Sequence, residues 1–233
     1  MKEWQQRTAA LLGEAALNKL ENSRVIVFGV GGVGGYTAEA LARAGVGEIT
    51  LVDKDDVDVT NINRQIVATT LTVGLPKVEV LKRRLQEINP QLKVVAIKEF
   101  YLADTADKFD LSAYDCVVDA VDTVTAKLLL AERCCAANTE IVSCMGAGNK
   151  VLPYFKVADV SKTAVCPLAK VMRKQLKRRG IERLTVVYSE EQPRPPILNG
   201  LKPTPSSISY VPASAGLVMA YAVIDKLIGA EPK

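Results

Sequence analysis

Short runs of consecutive apolar residues alternate, over the first two thirds of the chain, with stretches whose apolar positions recur every three or four residues. The runs at 25–30, 48–53, 94–99, 116–121 and 140–144 are rich in Val and Ile, which predicts strands covered on both faces. Between them, 33–44, 77–88 and 125–137 predict helices; Val78, Leu81, Leu85 and Ile88 form one apolar stripe. This alternation predicts an α/β fold, a Rossmann-like and mostly parallel sheet flanked by helices, with ligands outside the carboxyl ends of the strands. After about residue 150 the rhythm breaks. Segments 155–160 and 184–188 predict further strands on either side of a basic helix. Residues 190–207 hold five of the eleven prolines and predict an extended loop, and 213–228 predict a C-terminal helix for the sheet or a partner subunit.

Composition narrows the function. No run is read as long enough for a membrane span. The opening MKEWQQRTAALLGEAAL lacks the basic, apolar and small-residue order of a signal peptide, so a cytoplasmic protein is expected, away from membranes. The net charge of +4 permits contact with nucleic acid without requiring it. Five cysteines form no Cys-x-x-Cys pair, so neither a disulfide framework nor a structural zinc is expected. There is no histidine. A mechanism built on an imidazole base or a His-bound metal is therefore excluded.

The chemistry gathers after the first strand. In VIVFGVGGVGG, Gly29, Gly31 and Gly34 fit Gly-x-Gly-x-x-Gly, with Gly32 and Gly35 in addition. Such a turn brings backbone amides and a helix N-terminus to a phosphate, and Asp53, at the end of the second strand, is spaced to bond a ribose. The loop alone suits NAD as well as ATP. Beyond it, DVTNINRQ supplies Asn61, Arg64 and Gln65, and GLPK supplies Lys77 at a helix start. Two fixed cations near the loop favour a triphosphate whose developing charge needs clamping; each residue alone reads equally as surface. Asp119 and Asp122 end the fourth strand. Asp122 suits Mg²⁺ opposite phosphates, and Asp119 suits local backbone bonds or a turn cap.

Three features lie further on. KVMRKQLKRRGIER carries Lys170, Arg173, Lys174, Lys177, Arg178, Arg179 and Arg183 against Glu182 alone. On a helix with Leu168, Met172 and Leu176 inward, these cations form either a solvated face or a track for RNA phosphates. Cys166, just before Pro167, is either an inert thiol or a thioester nucleophile activated by the helix start. MGAGNK, after the fifth strand, shapes a pocket or simply turns the chain.

The ordered set Gly-x-Gly-Gly-x-Gly, Asp53, Asn61-x-x-Arg64-Gln65, Lys77 and Asp122 resembles the ATP-dependent adenylating superfamily of ubiquitin-activating enzymes, MoeB and ThiF. Within it, VGLPKVEVLKRRLQEINP, VVDAVDTVTAK, KTAVCPLAKVMRKQLKRRGI and TPSSISYVPASAGLVMA are similar to the threonylcarbamoyladenosine dehydratase branch, and the resemblance covers nearly the whole chain. It implies one adenylation domain over 1–233, with 151–233 as a substrate-binding and dimerisation extension. It implies ATP and Mg²⁺, with the glycine loop and Gln65 at the nucleotide, Asp53 on the ribose, Asn61, Arg64 and Lys77 on the phosphates, and Asp122 on the metal. Arg7 stands where the superfamily supplies an arginine to the neighbouring subunit, which implies a homodimer. The implied substrate is tRNA bearing threonylcarbamoyladenosine, whose carboxylate is adenylated and then cyclised; a sulfur-transfer protein is admitted as a further partner. MoeB-like enzymes usually carry two Cys-x-x-Cys pairs that are absent here. Activation of a ubiquitin-like sulfur carrier, which the same ATP residues would serve, is the alternative.

Overall fold

The computed structural model describes residues 2–195, 197 and 205–229. Seven strands, β1 (Arg24–Phe28), β2 (Glu48–Val52), β3 (Lys93–Ile97), β4 (Cys116–Asp119), β5 (Glu140–Cys144), β6 (Lys156–Asp159) and β7 (Thr185–Tyr188), form one sheet in the order β3-β2-β1-β4-β5-β7-β6. All neighbouring pairs are parallel except the edge pair, where β6 runs antiparallel to β7. The helices are α1 (Gln6–Leu12), α2 (Glu14–Glu21), α3 (Gly34–Ala44), α4 (Lys77–Ile88), α5 (Val124–Ala137), α6 (Pro167–Arg178) and α7 (Tyr210–Ile228).

Alternation along β1 assigns the two faces. Val25 and Val27, with Ile49 and Leu51 of β2, point into a core shared with α3, α4 and α7. Ile26 and Phe28 point the other way, with Val117, onto Tyr101, Phe109 and the Leu130 face of α5. The Phe28 and Tyr101 rings lie 4.6 Å apart, and Phe28 meets Phe109 edge-on at 5.4 Å. On α4, Val78, Leu81 and Leu85 are buried as the stripe requires, each Leu contributing about 2 kcal/mol by leaving water. Met172 and Leu176 of α6 are fully buried against α5 and β7, so the apolar side of the basic helix faces inward.

Two expectations need correction. The C-terminal helix begins at Tyr210, ahead of Pro212, and its 19 residues are long and apolar enough to cross a membrane by length and composition. Its use here is different. Val211, Ala215, Met219 and Val223 are buried in the core, and Thr37 of α3 donates to Gly216 O at 3.0 Å. Of the proline-rich segment, the described parts bond to MGAGNK: Arg194 N–H donates to Asn149 O and Ser206 N–H to Asn149 Oδ1, both at 2.7 Å. Pro196 and Pro203 lie outside the described residues.

Candidate active site

β1 is flanked by β2 on one side and β4 on the other, with α3 and α5 leaving to opposite faces, so a crevice opens above its carboxyl end. A cleft of about 530 Å³ occupies that position. Its floor is the glycine turn. Gly29 has a φ of 88°, and a Cβ there would stand 2.6 Å from Ala120 O, so the turn out of β1 admits no other residue without displacement. A Cβ on Gly34 would lie 1.8 Å from Gly29 O, which fixes how tightly α3 follows the strand. Gly32 sits close under Pro212 of α7. At Gly31 the nearest atom to a built Cβ is Gln65 Nε2, at 3.8 Å, so the packing tolerates a side chain there; the missing one leaves space in the cleft.

Asp53 follows β2 and bonds the turn directly: Val30 N–H donates to its Oδ2 at 2.6 Å and Asp55 N–H to its Oδ1 at 2.9 Å. Its carboxylate is thus held at the cleft edge beside apolar Val52 and Phe100, the second of which lies under the Lys54 ammonium at 4.2 Å. Across the cleft, Asp58 caps a 3-10 turn, and its N–H donates back to Asn61 Oδ1 at 3.0 Å. That reciprocal cap leaves the Asn61 amide nitrogen for the cleft. Arg64 follows on the same turn and donates to Thr60 O and Asn63 Oδ1 at 3.0 and 2.8 Å; it makes no ion pair among the described residues. Lys77 opens α4 with its side chain 7% exposed, paired to Asp55 at 3.0 Å. Gln65 is buried, and its Oε1 has no partner among the described residues. Asp55 was missed by sequence reasoning; only its position two residues after Asp53 could have signalled it.

Asp122 is exposed at the cleft, in the turn between β4 and α5, and forms no salt bridge among the described residues. A lone carboxylate facing a phosphate-sized space fits a magnesium ion that takes its other ligands from phosphates and water. Asp119 accepts the Val121 N–H at 3.3 Å, as a turn former does, but it is also fully buried and paired with Lys127, which the sequence did not suggest. Met145–Gly148 form the opposite wall with Pro205 and Ser207, so the first four residues of MGAGNK line the pocket. Leu168, in the first turn of α6, reaches the same cleft.

Arg7 is exposed on α1 and is not among the residues lining this chain's cleft. On α6, Lys170, Lys174, Lys177 and Arg178 are exposed, whereas two of the cations serve the protein itself. Arg173 donates to Thr163 O and Thr163 Oγ1, both at 2.8 Å, and Arg179 pairs with Glu132 at 2.6 Å. Cys166 is buried at the N-cap of α6, which removes it as an accessible nucleophile. Burial pushes the Cys134 and Cys144 thiols up to about 12 and raises Cys116 further. Only Cys135 is exposed. Alkylation of the native protein at pH 8 should therefore modify one thiol, Cys135, and all five after unfolding; peptide mapping that finds Cys144 or Cys166 labelled first would contradict this.

A parallel sheet of this order, a glycine turn under a helix N-terminus and cations converging on one cleft define a nucleotide-binding α/β protein of the Rossmann-like class. Residues 5–233 match the ThiF family, and the chain belongs to it. It is 44% identical over 237 residues to the tRNA threonylcarbamoyladenosine dehydratase of Bacillus subtilis, covering 95% of this chain and 93% of that protein. Its fold is similar to that of Escherichia coli tRNA N6-threonylcarbamoyladenosine dehydratase in complex with AMP, at a TM-score of 0.89 and 36% identity over 98% of this chain and 96% of that one. The same enzyme in complex with ATP superimposes at a TM-score of 0.88, again at 36% identity and over the same shares of the two chains.

Proposed function

We propose that this chain is an ATP-dependent tRNA threonylcarbamoyladenosine dehydratase. The observation that carries the reading is the convergence of Asp53, Arg64, Lys77 and Asp122 on one cleft, in a chain similar over almost its full length to enzymes of that name. Asp53 bonds the ribose while steadying the glycine turn. The turn amides, Asn61, Arg64 and Lys77 hold the phosphates, and Lys77 exchanges Asp55 for a phosphate oxygen. Magnesium, held by Asp122, would supply charge neutralisation for the departing pyrophosphate. The nucleophile is the carboxylate of the threonyl group on the modified adenosine. It attacks the α-phosphorus, pyrophosphate leaves, and the carbamoyl nitrogen closes on the activated carbonyl, breaking the acyl–phosphate bond and expelling AMP, whose phosphate takes up the N–H proton. An ionised carboxylate needs no protein base, which is consistent with a chain without histidine; positioning and cationic clamping supply the catalysis.

Residues 1–233 act as one adenylation domain, with 151–233 supplying substrate contacts and subunit association. Lys170, Lys174, Lys177 and Arg178 form the track for tRNA phosphates, joined to the cleft through the first turn of α6; Arg173 and Arg179 hold that helix in place. Arg7 serves the phosphates of a second copy, so the working unit is a homodimer. Incubation with MgATP and tRNA bearing threonylcarbamoyladenosine should release AMP and pyrophosphate and give a nucleoside lighter by one water on mass spectrometry. Pyrophosphate exchange driven by a sulfur-carrier protein and not by this tRNA would overturn the assignment.

A further inference from the structure

Beneath the cleft lies a charged group that the adenylation chemistry does not touch. Lys127, three residues into α5, is 1% exposed. Its ammonium donates to Asp119 Oδ1 at 3.0 Å and to Cys144 O at 2.7 Å, with Ser143 Oγ at 3.5 Å. Asp119 and Ser143 are both fully buried, and Ser143 Oγ donates to the second Asp119 oxygen. All these groups come from the carboxyl ends of β4 and β5 and the start of α5.

The connectivity gives the pair its meaning. Asp119 and Lys127 bracket the turn 120–123, and their ion pair closes it on one side. Val121 N–H donates to Asp119 Oδ1 inside the turn, and Lys127 N–H donates to Thr123 O at its end. Asp122 projects from the middle of that strapped turn. The bond to Cys144 O holds the strand end from which Met145–Gly148 continue as the opposite wall. One ammonium therefore bonds groups that lead into both walls. A buried ion pair is commonly neutral for stability against an apolar pair of the same shape, because desolvating the charges offsets their attraction. Stability alone does not account for it.

We propose that Lys127 is a positioning residue: through Asp119 and Cys144 O it fixes the turn that presents Asp122, and with it the metal-dependent part of ATP binding. This rests on the reading of Asp122 as the metal-binding carboxylate. The test is calorimetry of ATP binding with and without Mg²⁺ on the full-length protein, alongside thermal melting. Lys127→Met alone should lower Tm by about 10 °C, since it strands a buried carboxylate. Lys127→Met with Asp119→Asn should restore Tm to within about 3 °C, yet lose about tenfold of the affinity gained from Mg²⁺, while metal-free ATP affinity holds. Ser143→Ala, which removes a single hydroxyl and keeps the fold, should lose about threefold of the same gain and decides the matter if the double variant folds poorly. A wild-type Mg²⁺ gain in these variants overturns the proposal. Asp122→Asn is the separate control. If it keeps the Mg²⁺ gain, the metal reading itself fails, whatever Lys127 does.

Discussion

Arg64→Ala should lower the rate of pyrophosphate release by about 10³-fold, with Tm within about 2 °C of the parent protein. The two halves of this expectation come from the same geometry. Among the described residues the guanidinium bonds only Thr60 O and Asn63 Oδ1, both local and partly in solvent, so the fold loses little when it goes. It faces the cleft without a carboxylate among the described residues to neutralise it, so its charge is available to phosphates. Lys77 differs, because it is already paired to Asp55 and buried. Arg64→Lys should recover only part of the rate, since an ammonium cannot reproduce the planar fork. The proposed in-trans role of Arg7 can be tested in the same series. Mixing Arg64→Ala with Arg7→Ala chains should restore about a quarter of the activity, because half the random dimers carry one site with both arginines. Pyrophosphate release within threefold of normal in Arg64→Ala would remove this residue from the mechanism.

What the sequence made legible follows from what each feature depends on. Strands inside a covered parallel sheet are continuous apolar runs, so β1, β2, β4 and β5 could be read directly, and their ends shifted by one or two residues where a turn takes over, as at Gly29. Helix α4 was readable to the residue because its stripe and the preceding Pro76 agree. The start of α7 was not: Pro212 reads as a boundary, yet a proline in the first turn removes no helical hydrogen bond. The gathering of Asp53, Asn61, Arg64, Gln65, Lys77 and Asp122 at one cleft was legible because these residues are local to strand ends, the glycine turn and the loop that follows. Lys127 was hidden because its partner lies eight residues away across a turn, and a lysine amid the apolar residues of α5 carries no local mark of burial. The cations of α6 were countable, but only packing separates Arg173, tied to Thr163, from the four that face outward.

Two alanines in the glycine turn should have opposite effects. In Gly34→Ala the new methyl would sit 1.8 Å from Gly29 O and 3.1 Å from Ala120 Cβ. The closest obstacle is backbone at the exit of β1, so relief requires opening the turn between strand and helix. A fall in Tm of more than about 10 °C, or failure to fold, is expected. In Gly31→Ala the nearest protein atom is 3.8 Å away, and Gly31 is not in the left-handed region. Melting should stay level or rise by a degree or two as the unfolded chain loses freedom. ATP affinity should nevertheless fall by about 10–100-fold, because on the proposed reading the triphosphate passes over the space that the methyl occupies. Calorimetry beside a melting curve separates the two. A Gly31→Ala protein that binds ATP normally would mean that the phosphates do not run across Gly31, and the triphosphate would then have to lie toward Arg64 and Lys77 alone.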